Sequence, residues 1–294
     1  MKKLLLVLLL LGGIYFTFTK WDSQQIDQEN WSVSAKAMIL MDAKTGKVLY
    51  KKNSVESLPI ASMTKLMTQY IILNSIQSGK LSWDTEYKPS AYVQNMNQLK
   101  NASKIGMAVN QTYTVRELFT AMSVISANDA AIALAELVGG TEEQFVAIMN
   151  EQAKAFGLKH TTFYNSSGLD GSYLGKSEEE TNLSSAHDMA IIAQKLINKH
   201  PEVLEFTKMQ SFTTNQEVKM WNTNLLLPGM PLSMEGIDGL KTGYTDAAGS
   251  CFAGTGVFNG NRVISVVIGV EEVHDDKSNP RFTLTREMIE RFTN

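Results

Sequence analysis

The sequence predicts an α+β fold in which one sheet draws strands from both ends of the chain and a helical lobe is inserted between them. Strand-like runs occur early, at Ala37 to Asp42 and Val48 to Lys52, and again late, at Gly239 to Thr245, Cys251 to Phe258 and Arg262 to Val270. Between them helical periodicity dominates, and Thr283 to Phe292 returns to it at the end. Strands, then helices, then strands, then a final helix let the terminal segments share one layer with helices packed on it.

Each element has local support. Asp42-Ala-Lys-Thr-Gly46 carries turn chemistry between the first two runs, which therefore read as a hairpin. Ser62 to Ser78 is apolar on most sides, through Met63, Leu66, Met67, Tyr70, Ile71 and Leu73, so it reads as a central buried helix closed by Gly79. Thr114-Val-Arg-Glu117 is a capping-box pattern that opens a helix through about Met122. Asp129 to Leu137 is a third, Ala-rich helix. Thr141-Glu-Glu-Gln144 starts a fourth that runs to Phe156 and stops at Gly157, and Ser185 to Asn198 is a fifth. Asn259-Gly260 is a hairpin signal between the last two strands.

The bulk properties narrow the class. The chain has 294 residues, 44% hydrophobic and 19% charged, an ordinary globular composition. A net charge of −3 gives no sign of a nucleic-acid partner, which usually needs a basic face. The lone cysteine, Cys251, sits in an apolar run and reads as a buried structural thiol, so no internal disulfide or cysteine-based metal site is expected. His160, His187, His200 and His274 show no metal-ligand spacing, and neither metal nor cofactor is expected. Met1-Lys2-Lys3 followed by the apolar run Leu4 to Phe18 reads as a secretory signal peptide or an N-terminal membrane anchor. The run is short for a span, yet no small-x-small cleavage site follows, and Lys20 and Trp21 suit a membrane interface. Residues 1–33 are thus expected to be signal or anchor plus polar linker, and 34–294 one catalytic domain outside the cytoplasm.

Three short motifs carry chemistry. Ser62-Met-Thr-Lys65 would put a hydroxyl and an amine on one helical face at a helix N-terminus. A serine needs a base to become a nucleophile, and a lysine is one once burial and nearby positive charge lower its pKa. Ser126-Ala-Asn128 offers a hydroxyl able to relay a proton and an amide able to hold a carbonyl. Lys241-Thr242-Gly243 offers two carboxylate ligands and a position without a side chain, against which a peptide could lie. Singly, these motifs also describe a solvated ion, a polar turn and a glycine turn. Together and in this order they mark penicillin-binding proteins and class A β-lactamases.

The surrounding segments sharpen the likeness. Leu58-Pro-Ile-Ala-Ser-Met-Thr-Lys-Leu-Met-Thr68, Ser126-Ala-Asn-Asp-Ala130, Asn165-Ser-Ser-Gly-Leu169, Ser184-Ser-Ala-His-Asp-Met189 and Asp238-Gly-Leu-Lys-Thr-Gly-Tyr-Thr-Asp-Ala-Ala-Gly249 resemble the serine D-alanyl-D-alanine carboxypeptidases of peptidase family S11. The resemblance runs over about residues 34 to 294. It implies the serine DD-peptidase/β-lactamase-like fold, with an antiparallel sheet built from N- and C-terminal strands and flanked by helices. It implies removal of the terminal D-Ala from peptidoglycan stem peptides ending in D-Ala-D-Ala, with β-lactam antibiotics as inhibitors. Ser62, Lys65 and Ser126 would be catalytic, with Asn128, Lys241, Thr242, Gly243 and Tyr244 binding substrate. Ser62 and Tyr244 would lend backbone N–H groups to the oxyanion. Arg281 falls where relatives hold an arginine near the substrate carboxylate, although it also reads as a solvated arginine at a helix start. Many relatives continue into a β-rich second domain and a C-terminal amphipathic helix. This sequence ends at Asn294, so membrane attachment is expected through the N-terminal segment. Val93 to Val109, just before the second motif, resembles the family least.

Alternatives are a DD-endopeptidase of the same fold, a β-lactamase, or a penicillin-binding sensor without turnover. No segment resembles the β-lactamase Glu-x-x-x-Asn loop, and Glu178-Glu-Glu180 reads as a solvated charge run. No Gly-x-Ser-x-Gly elbow is present, and His187 reads as structural.

Overall fold

A computed structural model describes residues 34–214, 217–271 and 279–293. By its contacts the chain divides into Met1–Ser34 and Ala35–Asn294, and the second unit holds the fold. The expectation for Leu4 to Phe18 lies outside the described residues. Among the described residues no helix is long and apolar enough to cross a membrane.

The sheet has five strands: β1 (Ala37–Asp42), β2 (Val48–Lys52), β3 (Ile237–Thr245), β4 (Gly249–Phe258) and β5 (Asn261–Val270). Their order is β2-β1-β5-β4-β3, and every pairing is antiparallel. The N-terminal hairpin closes because Asp42 Oδ1 accepts from both the Thr45 amide (2.7 Å) and its hydroxyl (2.6 Å). The β4–β5 turn places Asn259 and Gly260 at φ of 48° and 77°, the positive angles that the two-residue hairpin requires.

Alternation along the strands sorts the core into two layers. Ile39, Ile264, Val266 and Ile268 join the main cluster under the helical lobe. Met38, Leu40, Phe252 and Val267 are buried on alternate positions, and Phe252 stacks edge-on against Phe282 at 5.0 Å.

The longer helices follow the expected order: α1 (Lys65–Gln77), α2 (Val115–Val124), α3 (Asn128–Gly139), α4 (Glu142–Ala155), α5 (Ala186–Lys199) and α6 (Pro280–Phe292). The capping box forms as read: Thr114 Oγ1 accepts from the Glu117 amide (3.2 Å) and Glu117 Oε2 from the Thr114 amide (2.7 Å). Thr141 and Ser185 cap α4 and α5.

Three boundaries differ in ways that bear on the site. Ser62 does not open an α-helix. It lies in a 3-10 turn, Ala61–Thr64, entered through Ala61 at φ 46°, and α1 begins at Lys65. α3 starts one residue early, at Asn128 itself. α6 starts at Pro280 rather than Thr283, since a proline at the first helical position loses no hydrogen bond. Arg281 therefore lies in its first turn. Short pairings escaped the periodicity reading because two or three residues carry no period: Leu58–Pro59 with Leu183–Ser184, Glu86–Tyr87 with Tyr113–Thr114, and Ser211–Thr213 with Lys219–Trp221.

Candidate active site

An open cleft of about 240 Å³ lies where the Ser62 turn, the α2–α3 junction and β3 meet. Ser62, Ser126, Asn128, Thr242, Tyr244 and Arg281 line it. The three motifs, scattered over 180 residues of sequence, therefore reach one place.

Glycine makes that meeting possible. A Cβ on Gly243 would come within 3.0 Å of the Ile60 carbonyl and 3.2 Å of the Ser62 amide, so β3 passes the Ser62 turn at backbone contact. On the other side Gly168, at φ 85°, packs so closely that a Cβ would fall 2.0 Å from the Ala61 carbonyl. The turn carrying Ser62 is wedged between two backbones, which is how the left-handed conformation of Ala61 persists. Ser126 is likewise left-handed, at φ 64°.

Lys65 sits behind the cleft wall and is fully buried. Its Nζ lies 2.8 Å from Ser62 Oγ, 2.7 Å from Asn128 Oδ1 and 2.5 Å from the Ser167 carbonyl. The Asn128 amide has a defined orientation, because its Nδ2 donates to the Ser103 carbonyl at 3.0 Å. Two of the three partners of Lys65 are thus carbonyl oxygens that can only accept. A neutral amine has two N–H groups and one lone pair. In that neutral form the two carbonyls would take both hydrogens, and the lone pair would face the Ser62 hydroxyl. Burial, and then the positive charge of Lys241, hold the Lys65 pKa well below the ordinary lysine range, while Asp129 and Glu142 pull the other way. The pair is arranged for proton transfer from serine to lysine.

Lys241 is also buried, and its Nζ donates to the Thr242 carbonyl at 2.8 Å. Burial and then the Arg281 charge push its pKa down to about 7. Arg281 stands at the start of α6, partly buried, and its guanidinium donates to the Gly243 carbonyl at 3.0 Å beside the cleft. Thr242 Oγ1 meets Thr223 Oγ1 at 2.6 Å. The Tyr244 side chain is 48% exposed at the rim.

Sequence reasoning missed Ser103, Thr223 and Glu142. Ser103 lies in the stretch that resembles the family least, yet its carbonyl receives both the Asn128 amide (2.8 Å) and Nδ2. Thr223 belongs to no periodic segment. Glu142 read only as a helix start. The remaining titratable candidates fall elsewhere. Cys251 is buried and its thiol is pushed up to about 11 by burial. The His187 amide donates to the Ser54 carbonyl at 2.8 Å, at the start of α5. Glu178 and Glu179 face solvent.

Comparison with known proteins identifies the family. The model of the peptidase S11 family, described as D-alanyl-D-alanine carboxypeptidase, matches residues 23–272. The D-alanyl-D-alanine carboxypeptidase DacF of Bacillus subtilis is 37% identical over 274 residues, covering 91% of this chain and 66% of its own length. The chain thus spans just under two thirds of that relative. A crystal structure of a peptidoglycan synthesis regulatory factor, PBP3, from Streptococcus pneumoniae has a TM-score of 0.84 at 39% identity, over 89% of this chain and 72% of that one. Penicillin-binding protein D2 of Listeria monocytogenes, solved in its ampicillin-bound form, gives 0.75 at 36% identity over 90% and 98%. With its fold, its three motifs in one cleft and a family match over most of its length, the chain belongs to the peptidase S11 family of D-alanyl-D-alanine carboxypeptidases.

Proposed function

We propose that this protein removes the terminal D-Ala from peptidoglycan stem peptides through an acyl-enzyme on Ser62, and that β-lactams acylate the same oxygen. The contact that carries this reading is the 2.8 Å approach of Lys65 Nζ to Ser62 Oγ, with both remaining amine positions taken by carbonyl acceptors.

Lys65 takes the Ser62 proton as Oγ attacks the carbonyl carbon of the penultimate D-Ala. The oxyanion is held by the backbone N–H groups of Ser62 and Tyr244, and losing one such donor typically costs about 3 kcal/mol. As the C–N bond breaks, the proton passes through Ser126 to the amine of the departing D-Ala. Water then attacks the ester, with Lys65 again the base. Asn128 holds Lys65 through Oδ1, and Nδ2, engaged with Ser103, keeps a second hydrogen for a substrate carbonyl.

β3 is the last strand of the sheet, so its outer edge can pair with an extended peptide. Lys241, Thr242 and Arg281 supply the positive end that a terminal carboxylate needs. None of the described residues lining the cleft is a carboxylate. That composition favours slow release of a penicilloyl group over β-lactamase turnover. Met1-Lys2-Lys3 and Leu4 to Phe18 support export, with the segment cleaved or kept as an anchor. N-terminal sequencing of the fractionated protein separates those two outcomes.

The test of the function is D-Ala release from a soluble peptide ending in D-Ala-D-Ala. Steady release by the wild type, absent in Ser62→Ala, is expected. Cleavage of a cross-linked dimer with no release from the monomeric peptide would contradict it.

A further inference from the structure

Glu142 stands out among the acidic residues. It opens α4, where a carboxylate suits the helix dipole, but the exposed neighbour Glu143 meets that need equally well. Glu142 is instead turned inward and 7% exposed, and none of the ion pairs among the described residues includes it. Acidic side chains are seldom buried without specific partners. Its partners are three donors: the Ser166 amide (2.9 Å) and hydroxyl (2.6 Å) on Oε1, and the Tyr92 hydroxyl (2.7 Å) on Oε2.

What Ser166 is attached to gives that burial a purpose. Its carbonyl accepts from Thr68 Oγ1 at 2.7 Å, three residues beyond Lys65 in α1. The following peptide presents the Ser167 carbonyl to Lys65, and Gly168 then packs against the turn that carries Ser62. Asn165 Oδ1 closes the same segment by accepting from the Ser167 (3.1 Å) and Gly168 (2.6 Å) amides. This short segment therefore touches both members of the catalytic pair, and Glu142 is the charged group that grips it.

We propose that Glu142 is a positioning residue for the Ser62–Lys65 pair, acting through the Ser166–Ser167 segment that supplies one of the two carbonyls on Lys65. The inference rests on Lys65 being the base. It has a geometric part and an electrostatic part. Gripping Ser166 keeps the Ser167 carbonyl on one amine hydrogen, so the lone pair stays on Ser62. The negative charge also favours protonated Lys65. The other charges facing Lys65 are Lys241 and Asp129, and the Asp129 carboxylate is committed to the amides of Ile105, Gly106 and Ala130. Facing Glu142 are Lys65 and the Tyr92 hydroxyl, with Glu136 behind Tyr92.

Glu142→Gln separates the two parts. Its amide oxygen can still accept from Ser166, and Tyr92 can rotate its hydroxyl to accept from the new NH₂, so the grip persists without the charge. The experiment is the second-order rate of acylation by a fluorescent penicillin, measured across pH on the full chain. Removing the negative charge destabilises protonated Lys65, so the amine becomes available at lower pH. The rising acid limb of E142Q should shift to lower pH, with rates about 3- to 10-fold above wild type on that limb and a similar plateau. E142A removes the grip as well and should lower the plateau by about 10- to 100-fold, the range expected for a misplaced catalytic group. An E142Q profile superimposable on wild type overturns the proposal, as does an unchanged plateau in folded E142A. If E142A does not fold, E142Q alone decides. A wild-type profile with no acid limb would overturn the Lys65 base and this inference together. A normal wild-type limb with an unmoved E142Q profile overturns the inference alone.

Discussion

The two walls of the cleft are built on opposite plans. On the helical side, Lys65 and Asn128 are buried and bonded to each other, and the chain supplies the carbonyl partners of Lys65 from 63 and 102 residues away. On the strand side, β3 offers an edge backbone, a glycine and the exposed Tyr244, and the Lys241 amine turns back onto the carbonyl of its neighbour. Proton transfer needs groups fixed before substrate arrives and shielded from water. Recognition of an extended peptide needs an open edge with free donors and acceptors. Changes on the helical wall should therefore act on the rate of acylation, and changes on the strand wall on binding and its pH dependence.

The largest effect belongs to the helical wall. Ser62→Ala should reduce D-Ala release by a factor on the order of a million, and Lys65→Ala by nearly as much, because the pair acts as a unit. For the same reason the double variant should be no worse than either single one. Additive losses in steady-state kinetics would mean that the two residues work separately.

The strand wall should show itself next, in the pH profile. The Lys241 pKa is pushed down to about 7 by burial and by Arg281, so its charge is present below that pH and lost above it. With Lys65 as the base and Lys241 as a carboxylate ligand, as proposed, kcat/KM should rise with pH through the Lys65 limb. It should then fall about tenfold per unit above pH 7. In Lys241→Arg the guanidinium keeps its charge, and the falling limb should disappear. A falling limb unchanged in that variant would assign it to another group.

Asn128→Ala should lower the acylation rate by about 10- to 100-fold, since it strips one acceptor from a buried amine. The smallest effect expected is that of Thr223→Val, which breaks the 2.6 Å bond to Thr242 Oγ1. It should raise KM by about fivefold with kcat nearly unchanged. A kcat loss larger than the KM change would place Thr223 on the wrong side of the comparison.

The two walls were also unequally legible in the sequence. The strand wall could be read almost completely, because Lys241, Thr242, Gly243 and Tyr244 are consecutive and a strand sets consecutive residues along one edge. On the helical wall Ser62, Lys65, Ser126 and Asn128 could be named, but what holds them could not. The Ser167 carbonyl leaves no trace in side-chain identity, and neither does the Ser103 carbonyl. Glu142 looked like any acidic residue at a helix start, and only the inward turn of its side chain sets it apart from Glu143. The Ser62 turn was read as α-helix because its apolar pattern continues that of α1. The left-handed Ala61 at the entry to that turn lies against Gly168 and Gly243, from distant segments. Pro280 signals the early start of α6, and a helix read from Thr283 leaves Arg281 ambiguous.

The proposed function stands on acylation of Ser62 followed by slow release of a penicilloyl group. Intact-mass spectrometry of the protein with one equivalent of penicillin, followed over time and by peptide mapping, tests both halves at once. The expected result is one lasting adduct, on the peptide containing Ser62, and none in Ser62→Ala. An adduct on another residue, or one that disappears rapidly while penicillin is hydrolysed catalytically, would overturn the proposed function.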